Sequence, residues 1–209
     1  MARPRAAPTP AGSARPTRSA YGSRRDRAVP ASRWSSTHQV VLAQASVDVK
    51  TNEITVIPEL IEVVGVAGAV VTTDAMGTQK DIAWKIREHH GHYVLALKDN
   101  HPKLHEDVQW LFSHADELGW EQMPHSDALT EERDHGREEK RECQVLSDLS
   151  VLDVQGWRDL ASVARVTSTR TVKGVRSTQT RYFITSLPQD AARVMHAVRY
   201  HWSIENGLH

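Results

Sequence analysis

Apolar and polar residues alternate along this chain in blocks that predict strand, helix, strand and helix in turn. The clearest block is Ala69-Val70-Val71-Thr72-Thr73-Asp74-Ala75-Met76-Gly77, a β-branched run that delivers a carboxylate and stops at glycine. Such a run predicts a strand buried on both faces, with its last residue at the carboxyl edge of a helix-covered sheet, where open α/β sheets place their chemistry. Before it, Val40 to Val49 predicts a strand and residues 57–65 a short helix, with Pro58 in its first turn and Gly65 as its terminator. After it, residues 78–90 predict a helix with Ile82 and Ile86 one turn apart, and His92 to Leu97 a second buried strand. Pro102 opens a further helix whose stripe Leu104, Val108, Leu111 and Phe112 has the spacing of a core-facing surface. The βαβα order predicts a parallel or mixed sheet under helical cover.

Beyond residue 115 the pattern changes. Residues 116–134 are polar and acidic without period, Arg141 to Leu146 predicts a strand, and Ser162 to Val172 and Val175 to Leu187 flank Lys173-Gly174 as a hairpin. Residues 116–187 are therefore expected to be a β-rich insertion. From Asp190 to Leu208 a helix is predicted, with Val194, Val198 and Trp202 repeating every four residues. A second row, His201, Glu205 and His209, follows the same spacing and makes Glu205 a second candidate carboxylate. Residues 1–35 show no apolar period and are rich in Pro, Ala, Ser and Arg, so they are expected to be a disordered arm ahead of a domain spanning 36–209.

The chain of 209 residues holds 26 basic and 26 acidic residues, and this balance conceals an asymmetry. Residues 1–35 carry eight Arg against one acid, Asp26, for a formal +7, which leaves −7 on the remainder. The domain is thus no uniformly basic nucleic-acid binder, and any DNA contact has to be local. The local candidate is the hairpin, where Arg165, Arg170, Lys173, Arg176 and Arg181 cluster and could neutralise phosphates. Equally, such charges discourage edge pairing. A single cysteine, Cys143, excludes an internal disulfide and suits a reducing cytoplasm. The longest apolar stretch falls well short of a membrane span. His89, His90 and His92 sit at a predicted helix end, where imidazoles commonly meet exposed carbonyls rather than a metal. At this level Asp74 reads either as a functional carboxylate or as the cap of the following helix, and Glu205 either as a site residue or as an exposed partner of the neighbouring imidazoles.

Several stretches taken together resemble a known family: Lys50-Thr51-Asn52-Glu53-Ile54, Val71 to Gln79, Tyr93-Val94-Leu95-Ala96-Leu97-Lys98, His135-Gly136-Arg137, and Val198-Arg199-Tyr200-His201-Trp202-Ser203-Ile204-Glu205-Asn206. They are similar to DDE transposases of bacterial insertion sequences, in the IS-four-like, H-repeat-associated branch, over about residues 38–209. The resemblance implies a ribonuclease-H-like α/β fold, a mixed sheet with helical cover interrupted by a β-rich insertion before the last catalytic helix. It implies cutting and joining of double-stranded DNA, at transposon ends and target, with Mg²⁺ or Mn²⁺, by a cytoplasmic bacterial protein that could act as a homo-oligomer. Asp74 matches the second catalytic aspartate and Glu205 the glutamate, both metal-holding. His201, where relatives often carry arginine, and Asn206 take substrate-positioning roles.

Departures from the family pattern shape the expectation further. The first catalytic aspartate belongs to an Asp-Gly-Lys segment upstream of Gln39, where this chain has its Arg/Pro-rich arm; Asp26 lacks that context, and Asp48 matches another position. The chain stops four residues after Glu205, and His101 stands where glutamine usually follows Asn100. The expectation is a truncated transposase deficient in catalysis. Its rivals are a non-catalytic DNA-binding or dimerising fragment that interferes with intact transposase, and a metal-dependent nuclease of the same fold.

Overall fold

A computed structural model describes the backbone of residues 30–35, 40–46, 53–134 and 137–207, and side chains from 57 to 133 and from 137 to 201. Two strands, β1 (Pro30–Ser35) and β2 (Val40–Ser46), pair antiparallel, from Pro30 opposite Ser46 to Ser35 opposite Val40. The last six residues of the expected arm are therefore a strand, because β2 supplies partners for the backbone groups that a polar, Arg-rich stretch would otherwise leave to water. Residues 1–29, with Asp26, and the stretch 47–52, with Asp48, lie outside the described residues.

Helix α1 runs over Glu53–Val64, four residues longer at its start than its apolar pattern indicated, with Pro58 inside it. Proline there lacks one intrahelical donor, a loss the remaining turns tolerate. Gly65 ends the helix as expected, at φ 66 and with its N–H on the Ile61 carbonyl. Strand β3 (Val70–Thr73), helix α2 (Lys80–Glu88), strand β4 (His92–Leu97) and helix α3 (Pro102–Leu118) follow in the expected order. His89 caps α2, and His92 turns toward Arg87 and Ser186.

The expected irregular stretch contains a strand, β5 (His125–Asp134), behind a short 3₁₀ turn at Trp120–Gln122. Its sequence has no β-branched run, and its strand conformation comes from pairing residue for residue with β6 (Arg137–Leu146). Strands β7 (Ser162–Val172) and β8 (Val175–Thr185) form the predicted hairpin, with Lys173 and Gly174 both at positive φ, as a two-residue type I′ turn requires. All four strands extend one sheet in the order β3-β4-β8-β7-β6-β5, parallel only between β3 and β4. The β-rich segment thus continues the sheet begun by β3 and β4.

Strict alternation sorts the two faces. Tyr93, Leu95, Leu97, Val163 and Ile184 face α1, α2 and α3 in one core, with Ile82, Ile86, Val108 and Phe112. Val94, Cys143, Val145, Ala164, Val166 and Phe183 face the last helix, α4 (Ala191–Gly207), and pack on Val194, Met195 and Val198. Burial pushes the Cys143 thiol up to about 12, which leaves it unreactive. Asp190 caps α4 by accepting the Arg193 N–H at 3.0 Å, while Ser126 of β5 accepts the Ala191 N–H.

Candidate active site

The turn after β3 is held from several directions. Asp74 Oδ1 accepts the Gly77 N–H at 3.2 Å, so the carboxylate braces its own turn, while α2 has Gln79 at its N-cap and is not capped by Asp74. Thr78, fully buried, donates its hydroxyl to the Ala96 carbonyl at 2.6 Å and lies 3.1 Å from the Asp74 carbonyl, anchoring the turn to β4. From the loop before α3, the Asn100 amide reaches the Ala75 and Thr78 carbonyls, and His101 Nε2 donates to the Thr78 carbonyl at 2.7 Å. Gly77 cannot carry a side chain without disturbance: a Cβ would stand 2.7 Å from Thr73 Cβ.

Asp74 itself is exposed, at the mouth of a cleft of about 190 Å³ whose polar lining includes Thr72, Lys98, Arg181 and His201 over a floor of Val94, Ala96 and Phe183. His201 Nδ1 lies 3.1 Å from Thr72 Oγ1, which brings α4 to the carboxyl end of β3. Glu205 follows His201 by one turn on the same helix. The side chains of Glu205 and Asn206 lie outside the described residues. The Asp74 carboxylate uses one oxygen on Gly77 and has capacity left for a cation, and oxygen donors of this kind suit Mg²⁺ or Mn²⁺. Among the described residues no group of three or more His, Cys, Asp and Glu gathers to hold a metal.

The five hairpin cations separate. Arg165 stands on the α3 side, where Asp116 takes both terminal nitrogens at 2.6 and 2.8 Å and the guanidinium lies over Phe112 and Trp120. Arg176 lies on that side too, in a groove among Glu131, Glu138 and Lys140. Arg170 and Arg181 alternate onto the α4 side with Ala164, Val166 and Phe183, and of the five only Arg181 lines the Asp74 cleft. Lys173 sits at the hairpin tip, at φ 50. Because β4 ends opposite Tyr182, the hairpin runs on past the edge of β4 for seven residues, about 24 Å at strand rise.

Comparison with known proteins supplies the family: the one described as Transposase DDE domain matches residues 33–209. The chain belongs to the DDE transposase family. Among its relatives from Escherichia coli K12, "Putative protein YbfL" is 36% identical over 185 residues and "H repeat-associated putative transposase YhhI" 35% over 185, each covering 85% of this chain and 48% of the relative. "H repeat-associated putative transposase YbfD" is 41% identical over 121 residues, 56% of this chain and 47% of the relative. The chain thus spans about half the length of these curated relatives. As a member of that family it has the mixed α/β architecture of the ribonuclease-H-like fold, and the family implies a DNA substrate and a divalent metal. No helix among the described residues is long and apolar enough to cross a membrane.

Four positions that the sequence reading gave no site role take part here: Thr78, Lys98, Asn100 and His101. Lys98 closes the second buried strand just as Asp74 closes the first, and this shared position was the signal that could have found it.

Proposed function

We propose that this chain acts in DNA transposition by metal-dependent strand cleavage and transfer, with Asp74 and Glu205 as two of the carboxylates that hold the metal. The observation that carries the reading is the cleft in which the β3 carboxylate meets the helix bearing Glu205. Bound there, divalent ions would activate the attacking oxygen and steady the leaving oxygen of a phosphodiester. Asp74 presents its free carboxylate oxygen at the cleft mouth, with its turn fixed by Thr78 and Asn100. His201, Lys98 and Arg181 lie where they could orient a backbone phosphate, and Asn206 shares that positioning role. Arg170 and Lys173 extend a basic path along the projecting hairpin, on which double-stranded DNA would be gripped largely without reading bases. A homo-oligomer in a bacterial cytoplasm is the setting we propose.

The third carboxylate of the family pattern has no counterpart identified in residues 1–209, so this polypeptide alone is proposed to be deficient in cleavage. One lost metal ligand costs on the order of several kcal/mol of transition-state stabilisation, and each 1.36 kcal/mol is tenfold in rate. The test is Mn²⁺ titration and plasmid cleavage by residues 1–209. Expected are weak Mn²⁺ binding abolished by Asp74→Ala, no strand cleavage, and cleavage once an Asp-Gly-Lys strand and a carboxyl-terminal extension are supplied. Efficient Mn²⁺-dependent cleavage by the unaltered chain, lost in Asp74→Ala and Glu205→Ala, would overturn the deficiency and favour a nuclease that draws its third acid from elsewhere. The projecting hairpin supports a second reading, a non-catalytic DNA-binding fragment that interferes with intact transposase; DNA binding with no Asp74-dependent metal binding would favour it.

A further inference from the structure

Helix α4 is gripped from both edges of the six-stranded sheet. His201 meets Thr72 on β3, one edge strand, and Arg199 is ion-paired with Glu132 Oε1 on β5, the other. Residues two apart on a helix point about 200° apart around its axis, so these contacts pull on opposite sides of α4. The Glu132 end is more than a lone surface pair. Its second oxygen accepts from Arg141 Nη1 at 3.2 Å, and Arg141 Nη2 donates to Glu139 at 2.5 Å. Arg141 is 8% exposed, so Glu132 is held between a buried guanidinium and the one on α4. Isolated exposed pairs contribute little, whereas networks anchored on a buried Arg hold geometry.

We propose that Glu132 and Arg199 are positioning residues for the metal site: together with the Thr72–His201 contact they fix the rotation of α4 about its axis and hence the bearing of position 205 toward Asp74. The inference rests on the reading of Asp74 and Glu205 as metal-holding carboxylates. A rotation of about 20° would carry a group about 6 Å from the helix axis through about 2 Å. Preorganised sites tolerate about 0.5 Å. Apolar packing of Val194, Met195 and Val198 seats the helix on the sheet, and two polar ties on opposite sides add a direct resistance to rotation.

The test uses the 209-residue chain with Glu132→Gln, Arg199→Gln, the double variant, Arg199→Lys, and Lys103→Gln as a remote control. Mn²⁺ affinity is read by electron paramagnetic resonance and the His201 ring by NMR, with circular dichroism as the check on folding. Expected are a three- to tenfold loss of Mn²⁺ affinity in each single variant, no further loss in the double, substantial recovery in Arg199→Lys, and His201 signals that move in both singles but not in the control. Wild-type Mn²⁺ affinity in both singles, or losses that add in full in the double, would overturn the proposal. If the unaltered chain shows no Asp74-dependent Mn²⁺ binding, the metal reading has failed. The grip on α4 then stands or falls on the His201 signals alone.

Discussion

His201 Nδ1 and Thr72 Oγ1 stand 3.1 Å apart, joining the last helix of the chain to the strand that delivers Asp74 across 129 residues of sequence. Thr72→Val keeps the branched shape and deletes the hydroxyl, leaving the imidazole without that partner. A loss of about 0.5–1.5 kcal/mol in urea-unfolding stability is expected, with Thr72→Ser closer to the parent. Unchanged stability and unchanged His201 NMR signals in Thr72→Val would remove the contact from the account of the site.

Gly77→Ala places a methyl where Thr73 Cβ is 2.7 Å away, next to the N–H that braces Asp74. The backbone has to shift, at a cost of about 1–3 kcal/mol, and the Asp74 turn shifts with it. Denaturation midpoints should fall and Mn²⁺ binding should weaken together. A variant as stable as the parent would show that the turn has room the close approach denies it.

Arg165 and Arg170 should behave oppositely although both lie on β7. Arg170→Gln should flatten the salt dependence of DNA binding by about one unit of slope, the signature of a lost phosphate contact. Arg165→Gln should leave that slope unchanged and lower stability instead, because its guanidinium is engaged by Asp116 and packed over two rings. Filter-binding titrations over a salt series, paired with thermal melts, distinguish the two.

Asp116 also sets an acid-side dependence. The Arg165 hydrogen bonds hold its carboxyl below the usual carboxylate range, helped by the Arg165 charge and by Trp120 and opposed by partial burial. Its folded value is depressed, so its contribution to stability is complete above the unfolded value of 3.8 and is lost as pH falls through the lower folded value. Solvent attenuates the effect, since the side chain is 47% exposed. Asp116→Asn should shallow the decline of stability at the acid end of a denaturation series.

His92 acts nearer neutrality. Burial disfavours its imidazolium, the neighbouring Arg87 adds repulsion, and the Ser186 carbonyl opposes them in part, so its folded value lies below 6.5. A depressed folded value means that stability is present above 6.5 and declines as pH falls toward the folded value. His92→Gln should remove that part of the pH dependence. Urea unfolding at pH 7.5 and pH 5 measures the difference.

The βαβα order, the helix stripes and the Lys173-Gly174 hairpin could be read from the chain because each is local: a period of 2 or 3.6 and a turn that needs positive φ are written within a few consecutive residues. The family resemblance brought Asp74 and Glu205 forward by motif. Other features depended on partners distant in sequence. β5 is a strand because β6 pairs with it, and its own residues carry no such pattern. The cluster of hairpin cations divided only when the register sent Arg165 and Arg176 to one face and Arg170 and Arg181 to the other. The hold of Asn100 and His101 on the Thr78 carbonyl bridges more than twenty residues. The grip of Thr72 and Glu132 on opposite sides of α4 requires the whole sheet to be in place. By itself the sequence determined the elements with a local period, the two candidate carboxylates and the family; the tertiary structure alone decided that β1 and β5 are strands and which side chains meet, because strand pairing, hydrogen bonds and ion pairs between residues far apart in the chain depend on register and helix placement, and neither leaves a local signal.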